Sequence, residues 1–144
     1  MKKRIAALIA LFVCVLAAWL YIVTPSERAA RAKENQGVFD SIKKDTKWNM
    51  GSPMLYGYFF ISEHEAPLKA LGFILRIGGH RFVDIRKDEK SEKYWLHVEK
   101  IQVQNLDSIS TKDVRLKRLG EIIFLSEYDG WDVGPDVAPT KAEK

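Results

Sequence analysis

Three histidines and one acidic, aromatic stretch near the end of the chain are the residues whose types could do chemistry. His64 stands in "SEHEA", His80 in "GGHRF" and His97 in "WLHVE", and the late stretch reads "SEYDGWDVGPD". Metal binding needs imidazoles, thiolates or carboxylates that converge, typically three or four residues apart on a helix or joined to cysteines. No pair of these histidines has that spacing, and the single cysteine, Cys14, is far from all three. "EHE" suits the solvated first turn of a helix, where acids are favourable. "GGH" lacks the glycine spacing and the lysine of a phosphate loop. "DGWD" lacks the regular oxygen-ligand spacing and terminal glutamate of a calcium loop. No nucleophile, base and orienting group form a set. The residues therefore predict no catalytic site, no metal, no cofactor and no small-molecule substrate.

Charge narrows the partners. The chain of 144 residues carries a formal net charge of +4, with 23 basic and 19 acidic side chains. Lys2, Lys3 and Arg4 account for most of the excess, and the remainder is close to balanced. Its basic residues are interleaved with acids instead of forming a stripe. Although "LYGYFFIS" and "RFVDIR" offer aromatics, no RNA-binding consensus accompanies them, so direct nucleic-acid binding is not expected. Residues 5–23, "IAALIALFVCVLAAWLYIV", contain no charge. As a helix they would be roughly 28 Å long, close to a bilayer core of about 30 Å. They predict an N-terminal transmembrane helix and a single-pass location in the inner (cytoplasmic) membrane. The basic N-terminus favours the cytoplasm, with the following domain outside.

The elements that must position these residues come next. Residues 1–24 are the expected anchor and 25–53 a helical linker and loop, with Val38, Phe39 and Ile42 on one small apolar face. Trp48 and Met50 in its loop are expected to cap a core. Residues 54–134 are the expected domain. "MLYGYFFIS" reads as a strand. The helix after it starts at 66 or 67 by Pro67, or earlier if Ser62 and Glu65 form a capping box. It puts Leu68, Leu71, Ile74 and Leu75 on one face and stops at Gly78-Gly79. "RFVDIR" alternates, with Val83 and Ile85 on one side. In "YWLHVEKIQVQ" the apolar parity changes between Val98 and Ile101, which predicts a bulge or break near Glu99–Lys100. The second helix is expected to be capped by Ser110 or Asp113 and to bury Leu116, Leu119, Ile122 and Ile123. Gly130 then turns the chain into a short strand, "WDV", with Trp131 and Val133 on one side. Residues 135–144 should fray as a disordered tail. The order strand, helix, strand, strand, helix, strand predicts an α+β, ferredoxin-like βαββαβ antiparallel sheet with two helices on one face.

"EYDGW", Glu127 to Trp131, follows the helix that closes this unit. It resembles the signature end of the regulator of ribonuclease E activity B family, the ribonuclease E inhibitor domain. "VFDSI", "LKALGFILRIGGHRFVDI", "YWLHVEKIQV" and "LDSISTKDVRLKRLGEIIFLSEYDGW" resemble other parts of that family in the same order, over residues 37–134. The resemblance implies a ferredoxin-like, non-catalytic, protein-binding domain that modulates RNA decay by binding ribonuclease E. The alternative is a module of the same fold facing the cell envelope, with another protein partner. Tyr128, Asp129, Gly130 and Trp131 are the motif residues that carry over. They are expected to lock the last strand in place, with Gly130 in a tight turn, Asp129 on turn amides and Trp131 burying its ring.

Overall fold

A computed structural model describes residues 11, 14, 15, 18 and 22–135. Among them three α-helices and a four-stranded antiparallel sheet form an α+β domain. The order is α1 (Pro25–Asp45), β1 (Met54–Ser62), α2 (Glu65–Ile77), β2 (Arg81–Lys87), β3 (Tyr94–Gln102), α3 (Leu106–Arg118) and β4 (Glu127–Gly134). Across the sheet the strands lie β2-β3-β1-β4. Every neighbouring pair is antiparallel.

The most apolar strand takes the centre. β1 pairs with β3 without interruption from Met54 opposite Gln102 to Ser62 opposite Tyr94. Tyr56, Tyr58 and Phe60 alternate along it and are all fully buried, facing Leu96 and Val98 of β3. Leu68, Leu71 and Leu75 of α2, with Ile109 and Leu116 of α3, cover the same cluster. Met50 also packs against it, whereas Trp48 in the same loop stays half-exposed.

Both edge strands carry a bulge, and neither was placed by sequence. In β2, Phe82 faces Val98 and Asp84 faces His97, which leaves Val83 as the extra residue. Phe82 and Ile85, three apart, therefore share the core side, and the expected Val83–Ile85 pairing is corrected. The change of parity in β3 is no bulge: Ile101 and Val103 are exposed, with Ile101 on the opposite side of the strand from Val98. In β4, Phe59 faces Gly130 and Phe60 faces Tyr128, leaving Asp129 extra. Gly130 has φ +104°, a region costly for side-chain-bearing residues. It sits inside an eight-residue strand, not in a turn before a short one.

Helix ends also differ from expectation. α2 starts at Glu65 with His64 as its N-cap, and Ser62 accepts from the His64 amide instead of forming a capping box. Ile74 is exposed. α3 is capped by Asn105 in a reciprocal capping box with Ser108, so Ser110 and Asp113 lie within the helix and are buried. Beyond Arg118 the chain widens into a π-helical turn, Leu119–Ile123. The Gly120 carbonyl accepts from the amides of Phe124 and Ser126, at 3.2 and 3.0 Å. The altered phase turns Ile122 and Ile123 outward, where both were expected in the core.

The expected inner-membrane location through residues 5–23 is overturned. Among the described residues no helix is long and apolar enough to cross a membrane, and most of residues 5–23 lie outside them. The expected tail likewise falls outside, except for residue 135.

Gly120 presses against the core. A Cβ there would lie 2.9 Å from Phe60 Cδ1 and 3.2 Å from the Ser126 carbonyl. Gly120→Ala should cost about 1–3 kcal/mol by overpacking, measured as a lower urea midpoint at unchanged slope.

Candidate functional site

The bulge in β4 explains why the "YDGW" residues act together. Tyr128 and Trp131 are an odd number of positions apart and would face opposite sides of a regular strand. The extra residue restores the phase, so both point to the helix side, opposite Phe60 and Tyr58 of β1. The Tyr128 hydroxyl donates to Asp113 Oδ1 at 2.6 Å, and its ring lies 5.1 Å from Phe60. Trp131 Nε1 donates to Asn35 Oδ1 at 3.1 Å, and its ring meets Phe39 and Tyr56, each at 5.9 Å.

These contacts converge on one carboxylate. Asp113 is fully buried in α3. Its Oδ2 accepts from Arg31 Nε and from Asn35 Nδ2, both at 3.0 Å, and its Oδ1 accepts from Tyr128. Asn35 Nδ2 also reaches Ser110 Oγ at 3.2 Å. Burial and the adjacent Asp113 charge hold the Tyr128 hydroxyl well above its ordinary pKa. Burial opposes the Arg31 charge, but Asp113 and Glu34 outweigh it and raise its pKa. The cluster ties α1 and β4 to α3. At the surface Arg28–Asp107 and Arg118–Glu27 add ion pairs between α1 and α3. Of the two, Arg28–Asp107 is exposed and stabilises by at most about 1 kcal/mol.

Asp129 takes no part in this cluster. It is exposed, and no turn amide donates to it among the described residues; burial and neighbouring Glu127 raise its pKa. The sequence reading missed Arg31, Asn35 and Asp113. A signal existed for Asp113: with Ile109 and Leu116 it occupies an apolar stripe at helical spacing, and an acid there needs a buried partner.

The structure keeps the histidines apart. His64 is exposed at the start of α2. His97 stacks on Phe59 at 4.6 Å on the sheet face away from the core cluster, with its Nε2 3.5 Å from Glu99 Oε1. Beside them Asp132 Oδ1 accepts from the Gly57 amide at 3.1 Å. His80 follows α2, and its Nδ1 lies 3.0 Å from the Leu75 carbonyl. Among the described residues no group of three or more histidine, cysteine or acidic side chains could hold a metal.

His80 instead borders a cleft of about 560 Å³ between α2 and α3, together with Lys100, Lys112 and Arg115. Burial, then Lys112, lowers the His80 pKa to about 4. Burial, then Lys100, lowers that of Lys112 to about 7, partly offset by Asp113.

Comparison with known families decides the affiliation. The family model described as regulator of ribonuclease activity B matches residues 32–133. The chain belongs to that family. A search of curated proteins finds no match. The matched span begins within α1 and ends within β4, so it takes in Asn35, Asp113, Tyr128 and Trp131. By its description the family is one of regulators.

Two outcomes test the cluster. Asp113→Ala should cost about 3–5 kcal/mol, because it strands Arg31, Asn35 and Tyr128. Tyr128→Phe should cost about 1–3 kcal/mol. Both are read from urea denaturation. A third concerns pH. The folded His80 imidazole titrates near 4 and the unfolded one near 6.5. Between those values the unfolded chain binds more protons, so stability should rise with pH across that window and level off above it. The His80 share is at most about 3 kcal/mol, and His80→Gln should flatten that part of the profile.

Proposed function

We propose that this chain is a non-catalytic protein-binding regulator that modulates RNA decay by binding ribonuclease E. The family match across residues 32–133 carries the reading. The strand order β2-β3-β1-β4 supports treating residues 54–134 as a ferredoxin-like unit, to which α1 adds a third helix. Tyr128, Gly130 and Trp131 serve the fold in this reading, since their polar atoms or backbone are engaged internally. Contact with the partner then falls on other surfaces.

One surface fits. Phe73 and Ile77, on successive turns of α2, are exposed by 64% and 70%. Large apolar side chains left together in this way favour a partner surface over solvent. β2 also offers one unpaired edge.

The test is direct binding of the full chain to the separated catalytic and C-terminal regulatory halves of ribonuclease E, by interferometry. The expected result is binding to the regulatory half. Phe73→Lys combined with Ile77→Lys should weaken it at least about tenfold, a loss of about 1.4 kcal/mol, with the thermal midpoint unchanged. Absence of binding to either half, with the chain folded, would overturn the proposal.

A further inference from the structure

The cleft between α2 and α3 brings Lys100 and Lys112 together with His80. Several surface cations have acid partners: Arg28 pairs with Asp107, Arg81 with Glu99 and Lys117 with Glu121. The cleft is lined by Lys100, Lys112 and His80 and by no acidic side chain. Asp113 lies nearby, but its oxygens are taken up by Arg31, Asn35 and Tyr128.

The lysines are held in place without carboxylates. Lys112 Nζ donates to Gln102 Oε1 at 3.0 Å and stands 4.4 Å above the Tyr58 ring. Lys100 Nζ donates to the Gly78 carbonyl at 3.0 Å. Both partners are neutral, so the charges are oriented but not balanced. Because a carbonyl only accepts, the His80 Nδ1–H donates to Leu75; His80 Nε2 is then an acceptor, buried and without a partner among the described residues. The walls are apolar, with Ile74 and Leu75 on the α2 side and Leu116 on the α3 side. Ile74, exposed where helical periodicity had placed it in the core, stands on this wall.

We infer that this cleft is a binding site for a small organic anion, a carboxylate or phosphate ester carried on an apolar body. Its volume falls within the range of about 300–1,000 Å³ usual for such ligands. The negative group would sit between Lys100 and Lys112, and the apolar body against Ile74 and Leu116. The inference concerns binding alone. The site does not depend on which protein the chain binds. Burial and the neighbouring Lys100 both lower the Lys112 pKa, which agrees with two cations held close together in the cleft, although Asp113 partly offsets them.

The experiment titrates the full chain with phenyl phosphate, benzoate, inorganic phosphate and benzyl alcohol, read by calorimetry and by amide shifts in α2 and α3. Phenyl phosphate or benzoate should bind at least about tenfold more tightly than either inorganic phosphate or benzyl alcohol, because charge and apolar contact each contribute. Lys112→Met should weaken the tighter probe about tenfold or more by removing a charge-assisted hydrogen bond. The variant keeps an apolar stem and relieves a buried charge, so its thermal midpoint should not fall. Lys100→Gln should weaken binding similarly, whereas Arg86→Gln on β2 should leave it unchanged. Inorganic phosphate binding as tightly as phenyl phosphate would overturn the inference. So would equal losses from Arg86→Gln and Lys112→Met, or no shifts in the cleft with any probe.

Discussion

The fold turns on one buried carboxylate. Asp113 receives hydrogen bonds from Arg31, Asn35 and Tyr128, so α1, α3 and β4 meet at a single group. A carboxylate in that position would be unfavourable alone, because burial penalises charge. It is tolerated because a guanidinium and two neutral donors surround it. The dependence is mutual. α1 buries only Phe39 and Asn35, too little apolar surface to dock by hydrophobic burial alone. Its attachment relies on the polar cluster, and the cluster relies on α1 to supply Arg31 and Asn35.

The bulge in β4 is the second constraint, and it serves the first. One extra residue at Asp129, with Gly130 in the left-handed region, brings Tyr128 and Trp131 to the same side of the sheet. Tyr128 then reaches Asp113, and Trp131 reaches Asn35. The second bulge, at Val83, does the same for Phe82 and Ile85 in β2. Both lie on edge strands, where a bulge also discourages pairing with another chain. The central pair, β1 and β3, stays regular because its two strands carry the core.

These constraints divide the molecule. On the α1 side, Arg31, Asn35, Asp113 and Tyr128 are matched with one another. On the α2 side, the cleft keeps lysines with neutral partners, and the outer face of the helix keeps Phe73 and Ile77 in solvent. The family to which the chain belongs is one of regulators of ribonuclease activity.

The order of strands and helices in residues 54–134 was legible from hydrophobic period alone, because each of those elements buries an apolar side. "YDGW" stood out in the sequence through its resemblance to the family's signature end. The bulges were not legible: an added residue changes the phase, and only the partner strand's register reveals where. The polar docking of α1 was hidden for a related reason. Hydrophobic periodicity is blind to a helix held by Arg31 and Asn35, whose partner at Asp113 lies about eighty residues away. The cleft, too, needed the tertiary structure. Lys100, Lys112 and His80 are far apart in sequence, and only packing brings them to one cleft. Sequence by itself determined which segments fold and in what order. The tertiary structure decided which charges meet and which stay unbalanced, because burial and distance are properties of the assembled chain.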